Sequence, residues 1–355
     1  MKPDTRDNLI KILKKLLLFA GVLVALEFVY RITFYPKDIQ EHCSLMALSQ
    51  IPTQNHAQII YLGESSNKTY RSSESDTSYI SEMIAEQMPE YRFGHITKSA
   101  ANAAIYYDIL RNIPQNNDVQ TVILTVNMRS FSSEWIYSNL ENYFHKQQVF
   151  MQRGPALWRR LQLDLKSYEF WTDEEREQLV IEGFKKQTFD CGPSLPYHTA
   201  YDWDHDLGWG IWFPHGKKMS QDSVPMACHY IKIFAYTLDD KNPRIKDLDK
   251  IVELCKERNW QLVFNILPDN FDQIRSMLGE ELVSLMQRQN AYIVSRYTAK
   301  GVLVVNNEGL VRDEEFIDRD FPTEHYGMVG RKAIADNIVQ HLRPFLLKKN
   351  APSTH

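Results

Sequence analysis

A serine near the start of the chain and a histidine near its end are the residues whose types suggest covalent chemistry. Ser65 stands in the turn Gly63-Glu64-Ser65-Ser66, directly after an apolar run that predicts a buried strand. A serine attacks an acyl group only if a base takes its proton and amide donors hold the oxyanion that forms. His325, just before a predicted C-terminal helix, is the candidate base. The same turn is also typical of a helix cap, so Ser65 alone indicates little.

The base needs a carboxylate to orient its ring, and three acids stand close upstream of it. Asp320 is our first choice, Glu324 the second and Asp318 the third. A dyad of Ser65 and His325 without an acid stays open as well.

Two asparagines are candidates for the oxyanion site. Asn127 follows the predicted third strand, where its amide would face the same edge as Ser65. Asn102 lies in KSAANAAIYY, whose small side chains would let backbone N–H groups approach an acyl oxygen, although small residues also simply pack helices. Arg129 could hold an anionic substrate group by paired hydrogen bonds, or could form an internal ion pair.

The elements that must position these residues alternate between apolar strands and amphipathic helices. The strands are predicted at 59–62, at YRFGHI, and at 121–126, 261–268 and 302–305. Such alternation favours a three-layer α/β/α domain with a parallel sheet, whose functional groups collect at the carboxyl ends of the strands.

The stretch 131–246 breaks this alternation and holds six of the seven tryptophans. We interpret it as an aromatic-rich insertion that builds its own small core or serves as a lid or acceptor-binding surface. The predicted division is therefore a tail and anchor helix at 1–35, a connecting segment at 36–58, the α/β domain at 59–345 and a tail at 346–355.

These blocks, in this order, resemble the SGNH, or GDSL, hydrolase superfamily. Ser65 matches the nucleophile, Asn127 the oxyanion asparagine and His325 the base, while Ala100–Asn102 fall where the glycine block is expected. The resemblance implies a flavodoxin-like parallel sheet and an acyl-enzyme on Ser65, with no cofactor. The chain departs from the pattern in having GES for GDS, and Pro322 where the family has its aspartate.

The N-terminal region predicts a membrane helix. An apolar run from Leu16 to Tyr30 is interrupted only by Glu27, and 9–35 reaches the ~20 residues that cross a bilayer. Five basic residues precede the run and two follow it, which places the N-terminus in the cytoplasm and the main domain in the periplasm or outside the cell. The alternatives are a cleaved signal peptide and a buried helix of a cytosolic protein.

The anchor and the four blocks together are similar to the envelope acyl-transfer proteins of teichoic-acid D-alanylation and alginate O-acetylation. That resemblance implies an acyl donor, a glycan or polyol acceptor and a multi-span membrane acyltransferase as partner. With water as acceptor the same residues form an esterase. The alternative is a catalytically inactive, SGNH-like glycan-binding or assembly partner, which the departures from the pattern favour.

Composition and spacing exclude several other classes. The net charge of −4 offers no basic surface for nucleic acid. The four cysteines show no metal-binding spacing, and the acidic stretch 202–208 fails the calcium-loop pattern, so no metal is predicted. A Cys191–Cys228 disulfide and four free thiols remain equally open.

Overall fold

One parallel sheet of five strands carries the predicted site. In a computed structural model, which describes residues 3–350, the strands lie in the order β2-β1-β3-β4-β5. All four pairings are parallel, which confirms the predicted sheet and gives it the flavodoxin-like order. The strands are β1 (Ile59–Gly63), β2 (Phe93–Thr97), β3 (Thr121–Val126), β4 (Gln261–Ile266) and β5 (Leu303–Asn306).

The register of the central strands brings two of the predicted residues to one level. β1 and β3 are buried along their whole length, as their continuous apolar sequences predict. Leu62 pairs with Leu124, so Ser65 and Asn127 each stand three residues beyond the same rung of the ladder. β1 and β3 also flank the point where the strand order reverses, which is where ligands bind in such sheets.

Helices make up most of the remaining chain. In order they are α1 (Pro3–Thr33), α2 (Tyr35–His42), α3 (Ser44–Gln54), α4 (Ser65–Lys68), α5 (Ile80–Gln87), α6 (Ala103–Asn112), α7 (Ser133–Ile136), α8 (Leu140–Met151), α9 (Ala156–Asp164), α10 (Asp173–Lys186), α11 (Ala200–Gly208), α12 (Val224–Phe234), α13 (Pro243–Glu257), α14 (Phe271–Leu278), α15 (Glu280–Thr298) and α16 (Met328–Asn350). Short 3₁₀ turns lie at Met128–Phe131, Pro214–Gly216 and Asp313–Glu315.

The chain divides into two compact units. One comprises the residues up to Leu48 and Asn142–Phe170, and is built on α1, α2 and α9. The other comprises Ser49–Glu141 and the chain from Trp171 onward, and contains the whole sheet. The predicted tail and anchor helix at 1–35 coincide with α1 and the first residue of α2, and the predicted tail at 346–355 begins within α16. Residues 1–2 and 351–355 lie outside the described residues.

Within the sheet-containing unit, part of the predicted insertion forms a small aromatic core. Trp203 of α11 is completely buried, and its ring lies 5.9 Å from that of Phe189 and 5.8 Å from that of Trp212. This agrees with the simpler of the two interpretations of its tryptophans. The lid or acceptor-binding role stays a prediction.

Helix α1 covers the predicted membrane segment, and its apolar side chains from Leu16 to Val29 are mostly exposed. Among the residues that the structure describes, none of the helices has both the length and the apolar character required to cross a membrane.

All four cysteines are free thiols, so the predicted Cys191–Cys228 bond is not formed. The two sulfurs face different carbonyl oxygens, that of Glu281 for Cys191 and that of Asp204 for Cys228. Burial raises the pKa of both thiols, to about 12 for Cys228, so neither is a reactive thiolate at neutral pH.

The close approach at Gly63 yields a first prediction. A Cβ there would lie 2.8 Å from Asn67 Cβ and 2.8 Å from Tyr61 Cε1, so Gly63→Ala must displace the turn that carries Ser65. We expect a loss of about 1–3 kcal/mol in the free energy of unfolding, measured by urea denaturation. The control is Gly208→Ala, where a Cβ would have only the Cys228 sulfur near it, at 3.8 Å. Equal stability of the two variants would contradict the prediction.

Candidate active site

The turn that carries Ser65, the candidate nucleophile, is held by a buried asparagine. Asn67 Nδ2 donates to Ser81 Oγ at 3.1 Å and to Thr97 Oγ1 at 2.7 Å, while its Oδ1 accepts from Ser81 N at 2.9 Å. These bonds fasten α4 to the start of α5 and to the end of β2. Ser65 is the first residue of the short helix α4. The N–H groups at the start of a helix have no carbonyl partner within that helix.

Ser65 and His325, 260 positions apart in the sequence, meet at this turn. Ser65 Oγ lies 2.9 Å from His325 Nε2, and His325 Nδ1 lies 2.7 Å from Asp318 Oδ2. When Nδ1 carries the proton toward the carboxylate, Nε2 is free to accept the serine hydroxyl proton. A hydroxyl, an imidazole and a carboxylate therefore form one continuous hydrogen-bonded chain, which is the arrangement that activates a serine nucleophile.

The carboxylate that is hydrogen-bonded to His325 is that of Asp318, our third choice, rather than that of Asp320. A short antiparallel pairing joins Phe316 to Tyr326, and Ile317 N donates to His325 O at 2.9 Å. The strand pairing folds the segment back on itself, so the residue after Ile317 comes beside His325. Asp320 lies at the exposed far end of the resulting loop, where its carboxylate does not reach the ring.

Glu324, the second choice, serves a different contact. It is buried, and its Oε2 lies 2.9 Å from Arg129 Nη2 and accepts from Asn127 Nδ2 at 2.8 Å. Burial raises the pKa of the Glu324 carboxyl, and the guanidinium of Arg129 opposes this shift. Neighbouring side chains of an extended segment point to opposite sides. Glu324 therefore faces inward, away from the imidazole of His325, and does not orient the ring.

Asn127 connects Glu64, which precedes Ser65, with Glu324, which precedes His325. Besides its bond to Glu324, its Nδ2 donates to Glu64 Oε1 at 3.2 Å, and its Oδ1 accepts from Arg129 N at 3.1 Å. We call Glu64, Asn127 and Glu324 the carboxylate bridge. Both amide hydrogens of Asn127 are engaged by this bridge, so the side chain does not project freely toward an oxyanion as the sequence suggested.

Asn102 is likewise engaged elsewhere. Its Oδ1 accepts from the N–H groups of Ala104 and Ile105 and so caps α6, while its Nδ2 donates to Glu141 Oε1 at 2.9 Å. The Asn102 side chain is thus used by the cap and by Glu141, while the expected approach of backbone N–H groups of this segment to an acyl oxygen stays a prediction. Nearby Ala100 has a φ of 58°, a left-handed backbone that glycine adopts more readily.

Arg129 forms the internal ion pair that was the alternative to substrate binding. Arg129 is 5% exposed, and its guanidinium donates to Pro322 O at 2.9 Å as well as pairing with Glu324. The guanidinium carbon lies 4.5 Å from the centre of the Trp135 ring. A group with these partners is not available to a substrate anion.

Two acids near the site were not predicted from the sequence. Glu64 was noted only as a departure from the GDS pattern, although its place beside Ser65 makes a structural role reasonable. Asp269 is buried beyond the end of β4, where burial and then the Glu324 carboxylate raise the pKa of the Asp269 carboxyl well above its usual range. The signal for Asp269 was its position shortly after a strand end: it stands three residues beyond β4, whereas Asn127 directly follows β3.

Comparisons with known proteins give limited likenesses. No family model matches the chain, and no curated protein matches its sequence. Its fold is similar to that of a GDSL-like lipase from Bacteroides thetaiotaomicron VPI-5482, with 8% identity, coverage of 89% of this chain and 98% of that chain, and a TM-score of 0.33. It is also similar to phospholipase A1 from Streptomyces albidoflavus NA297, with 11% identity, coverage of 82% and 99%, and a TM-score of 0.35. Both scores are low, so we base the function on the site geometry.

The geometry around His325 distinguishes the two neighbouring aspartates. Asp318→Asn leaves the shape intact but loses the charge that favours the working tautomer and stabilises the imidazolium. We expect kcat for a p-nitrophenyl ester to fall about 10²- to 10⁴-fold. Asp320→Asn, the matched control, should retain the wild-type rate. Equal losses in both variants, or a loss only in Asp320→Asn, would contradict the assignment.

The carboxylate bridge predicts a stability effect at Asn127. Asn127→Ala leaves two buried carboxylates without their amide donor, which costs about 1–3 kcal/mol for each unsatisfied group. We expect the urea midpoint to fall, together with activity. Ser65→Ala, whose hydroxyl stabilises no buried charge, is the control and should keep its midpoint. A large fall in kcat with an unchanged midpoint would instead indicate a pure oxyanion donor.

Proposed function

We propose that the protein is a serine ester hydrolase or O-acyltransferase of the SGNH type that works through an acyl-enzyme on Ser65. The observation that carries this proposal is the hydrogen-bonded chain of Ser65, His325 and Asp318, with distances of 2.9 and 2.7 Å. The chain lies where β1 ends, at the reversal of strand order in a flavodoxin-like sheet. The similarity of the four sequence blocks to SGNH hydrolases supports the same class.

In the first half of the reaction, Ser65 Oγ attacks the carbonyl carbon of an ester while His325 Nε2 takes the hydroxyl proton. The leading N–H groups of α4 supply donors to the oxyanion, since the Asn127 amide is held by the carboxylate bridge. The tetrahedral intermediate collapses when His325 returns its proton to the departing alcohol. The acyl group then remains on Ser65, and Asp318 stabilises the transient imidazolium.

In the second half, a hydroxyl group attacks the acyl-enzyme and loses its proton to His325, which passes the proton to Ser65 Oγ as the bond between Oγ and the acyl carbon breaks. Water as acceptor gives a free acid and makes the protein an esterase. A glycan or polyol hydroxyl as acceptor gives a new ester and makes it an acyltransferase. We propose an envelope glycan or polyol as the acceptor, with a multi-span membrane acyltransferase as the partner that supplies the acyl group, on the strength of the sequence resemblance.

The alternative of an inactive binding protein rested on Pro322 and on the altered third block. The position of Asp318 weakens the first of these grounds, because an acid from four residues further upstream occupies the place beside His325. Ser65, His325 and Asp318 together supply a nucleophile, a base and an orienting acid, which favours turnover.

We also propose attachment to the cell membrane through α1, with the N-terminus in the cytoplasm and the α/β domain on the outer side. The exposed apolar side chains of α1 and the basic residues before them support this part of the proposal.

A fluorophosphonate probe tests the nucleophile directly. We expect the wild-type protein to be labelled covalently and Ser65→Ala to remain unlabelled, while Ser66→Ala, the neighbouring hydroxyl, should still be labelled. His325→Ala should slow labelling strongly because the base is lost. Labelling that persists in Ser65→Ala, or a wild-type protein that neither reacts with the probe nor hydrolyses p-nitrophenyl acetate, would overturn the proposal.

A further inference from the structure

Helix α9, in the unit that contains α1, exposes its apolar side chains. Trp158, Leu161 and Leu165, which follow one another at helical spacing, are 56%, 43% and 70% exposed. Phe170, shortly after the helix, is also exposed. A helix at a protein surface normally turns such a stripe inward and presents its charged residues to water.

Two arginines of α9 are instead bonded to other parts of this unit. Arg159 is buried, donates to the hydroxyl of Tyr35 in α2, and donates to Phe150 O at 3.3 Å. Arg160 reaches Asp38 of α2 at 3.2 Å. The helix thus buries Arg159 together with Ala156 and Leu163, and directs the large apolar side chains of Trp158, Leu161 and Leu165 outward. A cluster of large apolar side chains at a surface is typical of a site that binds a partner or a membrane.

The start of α9 is bonded to α1. The Glu27 carboxylate accepts from the N–H groups of Ala156 and Leu157, both at 2.8 Å, and so caps the N-terminus of α9. Arg31, one turn further along α1, donates to Glu27 and to Gly154 O at 3.3 Å. Glu27, the one charge within the apolar run of α1, is thus a link between the two helices.

We infer that α9 is an interfacial helix, which inserts Trp158, Leu161 and Leu165 among the head groups and upper acyl chains of a lipid bilayer. The inference rests on the proposed membrane attachment through α1. Because Glu27 joins α9 to the end of the apolar run, one apolar phase can cover both helices. Tryptophan and leucine on one face with arginine on the other is the composition of helices that lie in a membrane surface.

A bilayer fits this surface better than a protein partner does. The exposed apolar side chains of α1 between Leu16 and Phe28 lie around the helix, whereas a protein partner would cover one side. Lys11, Lys14 and Lys15 precede them and match the negative charge of phospholipid head groups. Trp158 has the amphipathic ring that is enriched at the boundary between head groups and hydrocarbon.

Site-specific fluorescence tests the inference on the full chain. Single cysteines for an environment-sensitive nitrobenzoxadiazole label would replace Leu161 or Leu165, in a background of Cys191→Ser in which the other three thiols are buried. Leu18→Cys on α1 reports membrane attachment. Asp164→Cys, on the flank of α9, and Lys256→Cys, in the other unit, are the controls. The proteins are reconstituted in vesicles of phosphatidylcholine and phosphatidylglycerol that contain spin-labelled phosphatidylcholine as quencher.

We expect labels at 161 and 165 to be quenched by the spin-labelled lipid as strongly as the label at 18, and several-fold more than those at 164 and 256. Quenching at 18 with labels at 161 and 165 as accessible to aqueous iodide as that at 256 would overturn the α9 inference, leave membrane attachment intact and point to a protein as the occupant. Absence of quenching at 18 and at both α9 positions would overturn membrane attachment and the inference with it.

Discussion

The site depends on one short piece of antiparallel pairing between Phe316 and Tyr326. The pairing turns the chain back between β5 and α16, and this reversal presents His325 and Asp318 side by side to Ser65. Tyr326 is completely buried, and its hydroxyl donates to Pro268 O at 2.9 Å, which fastens the loop to the end of β4. Geometry within a fraction of an ångström is needed for proton transfer, and a loop held only by its ends would not provide it.

A second constraint lies beneath the catalytic groups. The carboxylate bridge joins Glu64, beside Ser65, to Glu324, beside His325, through the amide of Asn127. Arg129 supplies the positive charge that makes two buried carboxylates tolerable at close range. The two loops that carry Ser65 and His325 therefore share one buried polar network. The amide of Asn127, which the sequence suggested as an oxyanion donor, instead holds the segments of Ser65 and His325 in position.

The fold could be predicted well because its signals are local. The strand that ends at Gly63 and the helix that ends before Pro114 are both marked by the spacing of apolar residues close together in the sequence. The predicted limits of β3 are the observed ones. The approach of Ser65 to His325 was predictable too, since Ser65 follows β1 and His325 lies in the connection after the last strand, and such connections meet at one edge of a parallel sheet. The choice of Asp318 over Asp320 was not predictable, because nothing in the order FIDRDFPTEH specifies which residues pair across the loop. The partners of Asn127, Asn102 and Arg129 could not be predicted either, because they are acids distant in the sequence. These acids are Glu64, Glu324 and Glu141.

Local sequence patterns were enough to predict the parallel sheet, the serine and histidine that meet at its edge, and an N-terminal helix rich in apolar residues. Three features became visible only in the folded chain: the pairing of Asp318 with His325, the engagement of Asn127 and Asn102 in a bridge and a cap, and the burial of Arg159 in α9. The reason is physical. Periodicity and strand ends are properties of adjacent residues, whereas the partner of a buried polar group is set by whichever groups the packed elements bring within about 3 Å of it.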